Sequence, residues 1–80
     1  MNITAVESTT LAVLAYDDAH KILQLEFRSH ALYRYFGVPA RVFEALLAAP
    51  SKGRYFHRAI RGNFPYSRAL HTMAGLEGKD

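Results

Sequence analysis

Polar and apolar residues alternate without interruption over residues 21–28 (KILQLEFR). Leu23, Leu25 and Phe27 fall to one side and Gln24, Glu26 and Arg28 to the other, which predicts a half-buried β-strand. Residues 9–16 (TTLAVLAY) are β-branched and apolar and predict a strand before it, with Asp17-Asp18-Ala19-His20 supplying the turn. After a short connection at Ser29-His30-Ala31, residues 32–36 (LYRYF) predict a third strand. The length of this second loop decides which side chains are buried, because a one-residue slip exchanges the two faces. A two-residue loop sets Leu32, Arg34 and Phe36 beside Leu25 and Phe27. A three-residue loop sets Tyr33 and Tyr35 there instead, and is favoured because an unpaired buried guanidinium is costly.

The period then changes. Gly37-Val38-Pro39 ends the third strand, and residues 39–49 (PARVFEALLAA) place Val42, Phe43, Leu46 and Leu47 on one helical stripe with Arg41 and Glu44 outside. Pro50 stops this helix. Residues 51–62 (SKGRYFHRAIRG) predict a second one, with Ser51 as N-cap and Gly62 as a left-handed stop. At helical spacing Arg54, His57, Arg58 and Arg61 share one face, and Phe56, Ala59 and Ile60 share the opposite one. Phe64-Pro65-Tyr66 reads as an extended aromatic clip folding back over the sheet or the helices. Residues 1–8 carry little pattern and are expected to fray. Residues 71–80 lose periodicity and are expected to form a loose tail, leaving residues 1–70 as a single domain. The predicted class is α+β: a three-stranded antiparallel β-meander followed by two short helices packed on one face. The other face would carry Gln24, Glu26, Arg28 and Arg34 toward water, and the first and third strands would be the sheet edges.

Eighty residues form one small domain, which buries about 60% of its unfolded surface. Five Phe and five Tyr suffice for one core, with Phe27, Phe36, Phe43 and Phe56 assigned to it. Without cysteine there is neither a disulfide framework nor a thiolate metal site. No apolar run approaches the length of a membrane span and no signal-peptide pattern opens the chain, so a cytoplasmic location is expected. The net charge is only +3, yet residues 45–76 contain no carboxylate while holding Lys52, Arg54, Arg58, Arg61 and Arg68. A field so concentrated suits an anionic partner such as nucleic acid; it also suits a solvated face that maintains solubility.

His20, His30, His57 and His71 lack the spacing of metal ligands. No glycine-rich phosphate loop is present, and Ser51 reads as a cap, so neither a cofactor nor catalysis is expected. Guanidinium groups at helical spacing can instead contact successive phosphates. Lys52, Arg54, His57, Arg58, Arg61, Tyr66 and Arg68 are therefore the candidate nucleic-acid-binding residues. Tyr33 and Tyr35 fit two roles, core or base-stacking platform.

The motifs Tyr16-Asp17, Tyr33-Arg34-Tyr35, Pro50-Ser51-Lys52-Gly53 and Phe64-Pro65-Tyr66, within residues 14–68, resemble the KTSC domain family. That module occurs alone in bacterial and phage proteins and at the C-terminus of some lysyl-tRNA synthetases. The chain departs from the pattern at His30-Ala31, where glycine is expected. The resemblance supports the fold class and implies a role with RNA. The expected function is thus a non-catalytic nucleic-acid-binding module, with RNA favoured. The alternative is a protein-interaction module acting through the helix pair or an exposed strand edge, homodimerisation included.

Overall fold

The computed structural model describes residues 2–6 and 8–69; the tail expected at 71–80 lies outside them. Among the described residues the sheet has five strands, in the order β1 (Asn2–Ala5), β2 (Leu11–Asp17), β3 (Ile22–Phe27), β4 (Leu32–Phe36) and β5 (Tyr66–Ala69), each antiparallel to its neighbour. Helix α1 (Ala40–Ala48) and the short α2 (Lys52–Tyr55) lie between β4 and β5 in sequence, and α2 runs on into a π-helical turn, Phe56–Ile60. The α+β class and the central meander agree with the sequence expectation. The strand count does not: three were expected and the described residues form five.

The two unexpected strands are the edges. Residues 2–5, expected to fray, pair with residues 13–16 of β2. The expected aromatic clip ends in β5, whose Tyr66 and Arg68 sit opposite Tyr35 and Tyr33 of β4. Neither NITA nor YSRA shows a long alternation, because a short edge strand takes its conformation from the partner's free backbone groups. The second and fourth strands of the sheet, expected as its edges, are consequently interior.

The β3–β4 hairpin has the favoured three-residue length, but its loop is Arg28, Ser29 and His30, one residue earlier than the expected Ser29-His30-Ala31, because β3 ends at Phe27. The Phe27 N–H donates to the Ala31 carbonyl at 2.9 Å, and His30 takes the left-handed conformation at φ 73°. His30 belongs to the His30-Ala31 pair at which the resemblance led glycine to be expected, and histidine is among the residues that enter that region more readily than most. Tyr35 therefore sits opposite Leu23 and Tyr33 opposite Leu25, on the helix-covered face. Arg34 turns to the other face, where its Nε donates to Gln24 Oε1 at 2.7 Å. That face is not simply wet. Ala15 and Leu32 are buried on it and Gln24 is only 6% exposed. Phe36, opposite Ile22 and Arg34's neighbour, is half-buried and stands outside the main core cluster.

The core lies between the sheet and the helices and contains Leu11, Leu14, Leu23, Leu25, Phe43, Leu46, Phe56 and Ile60 among its buried residues. Tyr16 stacks on Phe43 with ring centroids 4.9 Å apart, and its hydroxyl donates to the Val38 carbonyl at 2.6 Å. This contact joins β2 to the connection that leads into α1. Burial raises the Tyr16 hydroxyl above its ordinary pKa, the Lys21 charge opposing in part. At the β2–β3 turn Asp17 Oδ1 accepts from the N–H groups of Ala19 and His20, as its side chain predicts. The hydrogen bond from the His20 ring holds the Asp17 carboxyl below its usual range.

Candidate nucleic-acid interface

Ser51 caps α2 as expected, its Oγ accepting from the Arg54 N–H at 3.4 Å. The helix then departs from the regular α form. The Arg61 N–H donates to the Phe56 carbonyl, five residues back, at 2.9 Å, which defines the wider π turn. Arg61 itself is extended and Gly62 takes φ 82°, so the helical run ends at Ile60 and the glycine supplies the left-handed stop. Phe56 and Ile60 are buried and Ala59 half-buried, leaving Arg54, His57, Arg58 and Arg61 exposed.

The expected single cationic face is divided between two clefts. The larger, about 680 Å³, lies between α2 and the loop before β2; Lys52, Arg54, His57 and Arg58 line it opposite Ser8 and Thr9. The loop is held there by Arg28, which donates from Nε to the Ser8 carbonyl at 2.9 Å and from Nη2 to the Val6 carbonyl at 3.0 Å. Gly53 permits the helix to approach this loop: a Cβ at that position would stand 2.9 Å from Thr10 Oγ1.

The smaller cleft, about 280 Å³, is aromatic. Tyr33, Tyr35, Tyr66 and Phe56 line it, with His57 and Arg61 at its polar side. The Tyr66 ring centroid is 5.5 Å from that of Tyr33 and 5.4 Å from that of Tyr35, while Phe56 meets Tyr35 edge-on at 5.6 Å. Tyr35 is buried, Tyr33 half-buried and Tyr66 58% exposed, so the rings grade from core to surface. Burial raises the Tyr35 hydroxyl pKa, Tyr66 and Tyr33 add to the rise, and Arg61 opposes it. The two sequence roles for the tyrosine pair thus separate: Tyr35 belongs to the core, whereas Tyr33 serves both the core and the cleft wall.

His57 lines both clefts. Arg61 Nη1 lies 3.3 Å from His57 Nδ1, and a guanidinium can only donate, which leaves the ring proton on Nε2. Arg58 lies over Tyr55 at 5.6 Å and Arg68 over Tyr33 at 5.7 Å, both cation–π contacts. Lys52 has a structural contact as well, donating to the Ala49 carbonyl at the end of α1 at 3.0 Å. Among the described residues, no carboxylate lies within ion-pair distance of Arg54, Arg58, Arg61 or Arg68. All seven residues chosen from the sequence therefore lie at the clefts or, for Arg68, against the Tyr33 ring. Missing from the sequence reading were Ser8 and Thr9, which nothing local distinguishes and which β1–β2 pairing carries to the helix.

Among the described residues no cluster of histidine and carboxylate side chains suits a metal ion, and no helix is long and apolar enough to cross a membrane. Comparison with known proteins gives consistent relatives. A segment of a lysine–tRNA ligase from Nostoc sp. is 44% identical over 62 residues, covering 78% of this chain but only 11% of the ligase. An uncharacterized protein from Stutzerimonas stutzeri is 46% identical over 61 residues, covering 76% of this chain and 86% of that protein. The crystal structure of a KTSC domain protein from Yersinia pestis superposes with a TM-score of 0.82 at 32% identity, over 85% of this chain and 96% of that one. The KTSC domain family matches residues 7–64, from the loop before β2 through the π turn, and on that match the chain belongs to the KTSC domain family.

Proposed function

We propose that this domain is a non-catalytic module that binds nucleic acid, RNA in preference, across the two clefts. The observation that carries the reading is the junction at His57: an aromatic cleft on one side, and on the other a cleft lined by Arg54, Arg58 and Lys52. The arginines have no carboxylate partner among the described residues, so their charge is available to phosphates. The similarity to part of a lysine–tRNA ligase, an enzyme whose name states its RNA substrate, favours RNA over DNA.

The test is fluorescence anisotropy of a labelled single-stranded RNA titrated at two salt concentrations. Three phosphate contacts contribute about 2 to the log–log salt slope, at ~0.7 each for a single strand. Replacing Arg54, Arg58 and Arg61 together by Gln should weaken binding and flatten the slope by that amount. Unchanged affinity and slope in a folded triple variant refute the reading.

A second reading is favoured by the opposite sheet edge. Ile3 of β1 is 66% exposed, on a strand paired on one side only among the described residues. Such an edge can add a strand from a protein partner or a second copy of the chain. A concentration-dependent mass approaching twice 9.0 kDa, with no response to RNA, would select this reading.

A further inference from the structure

We propose that the aromatic cleft takes one unpaired nucleobase, while the larger cleft across His57 holds the phosphates beside it, which makes the domain selective for single strands. The inference rests on the nucleic-acid reading above and adds what enters the aromatic cleft.

Size comes first. The cleft measures about 280 Å³, just below the ~300–1,000 Å³ typical of sites for drug-sized molecules. That is ample room for a planar ring system the size of a nucleobase. Chemistry comes second. The lining offers tyrosine and phenylalanine rings for stacking, and at one side an imidazole and a guanidinium. With Arg61 donating to Nδ1, the His57 Nε2–H can donate to a ring nitrogen, a carbonyl or a phosphate oxygen. Tyr66 presents the most accessible ring and lies on the sheet edge, with no further strand beyond it among the described residues.

Continuity comes third. His57 is shared, so a strand whose base occupies the aromatic cleft continues directly past Arg54 and Arg58 in the larger one. Arg68, over the Tyr33 ring, adds a cation on the β5 side of the aromatic cluster. A duplex can meet the arginines but cannot offer a base, since its faces are stacked and its edges paired.

The experiment uses four labelled probes of equal length: single-stranded RNA, the same RNA as a duplex, single-stranded DNA, and an abasic strand that keeps its sugars and phosphates. The abasic strand leaves the protein unchanged and so avoids any question of misfolding. Removing one stacked base should weaken binding about 5- to 150-fold. Duplex RNA should also bind more weakly than the single strand. Tyr66→Ala should lose a similar factor on single-stranded RNA and almost nothing on the abasic strand, with the salt slope unchanged. Single-stranded DNA bound as well as RNA overturns the preference for RNA, since the 2′-hydroxyl then plays no part, and the abasic comparison alone decides base insertion. If abasic and base-bearing strands bind equally, base insertion is overturned while the phosphate reading stands. If no probe binds even at low salt, both readings fail.

Discussion

Gly53→Ala is expected to destabilise the domain, although alanine is the better helix former by up to about 1 kcal/mol. The added Cβ would stand 2.9 Å from Thr10 Oγ1 and 3.3 Å from Thr10 Cβ, both closer than ordinary contact. Rotating the threonine side chain relieves the first contact but not the second, because Cβ moves only with the backbone. That backbone is held at both ends: the Thr10 N–H donates to Ser8 Oγ at 3.1 Å, and its carbonyl accepts from the Arg28 N–H at 2.9 Å. Overpacking of this kind costs about 1–3 kcal/mol; set against a propensity gain of up to about 1 kcal/mol, it leaves a net loss of up to about 2 kcal/mol. For a small protein with a urea slope of about 1 kcal/mol/M, the midpoint should fall by up to roughly 2 M. Adding Thr10→Ala removes the hydroxyl and methyl but keeps Cβ, so in a double-mutant cycle it should recover only the part of the loss that comes from the 2.9 Å contact. A Gly53→Ala protein as stable as the parent would refute the reasoning, because it would mean that the helix does not rest on the loop at this separation. The larger cleft would then need a different shape.

Two further outcomes are expected. His30→Gly should raise the urea midpoint, with a gain of up to about 1 kcal/mol, since a non-glycine residue at φ 73° bears left-handed strain that glycine lacks; the His30–Glu26 approach gives little in return, being long at 3.9 Å with the His30 ring exposed to water. Tyr16 and Tyr35 hold their protons above the ordinary value of 10.0 when folded, so their stabilisation is complete below the unfolded pKa and is lost as pH rises through the folded one. An alkaline titration followed by tyrosinate absorbance should lose a late-ionising phenol in Tyr16→Phe and another in Tyr35→Phe; loss of an early-ionising phenol instead would show that burial does not govern these hydroxyls.

Much of the candidate interface was legible because its residues are close in sequence. The run from Ser51 to Arg61 needs only a helical period to gather its cations, and the cap at Ser51 and the stop at Gly62 are local features. What the period could not show is the π turn. It depends on one carbonyl choosing a donor five residues away, and a regular helix assumed from residue 51 onward joins into one face what the folded chain divides between two clefts. Tyr33 and Tyr35 were ambiguous for another reason. An aromatic residue in a small domain suits the core and a binding wall equally, and only the neighbours across the strand decide between them.

The sequence by itself determined the interior of the meander, the α1 stripe, the capped basic segment and the three-residue second hairpin. Each follows from a repeating pattern or from the cost of burying one charge, and both act within a few residues. The tertiary structure alone decided the two edge strands, because β1 and β5 are fixed by hydrogen bonds to β2 and β4 rather than by their own alternation. Those pairings also complete the clefts. Strand β5 brings Tyr66 to Tyr33 and Tyr35, and β1–β2 pairing brings Ser8 and Thr9 to the basic helix. A surface assembled from opposite ends of the chain is set by long-range pairing, whose partners no local window contains.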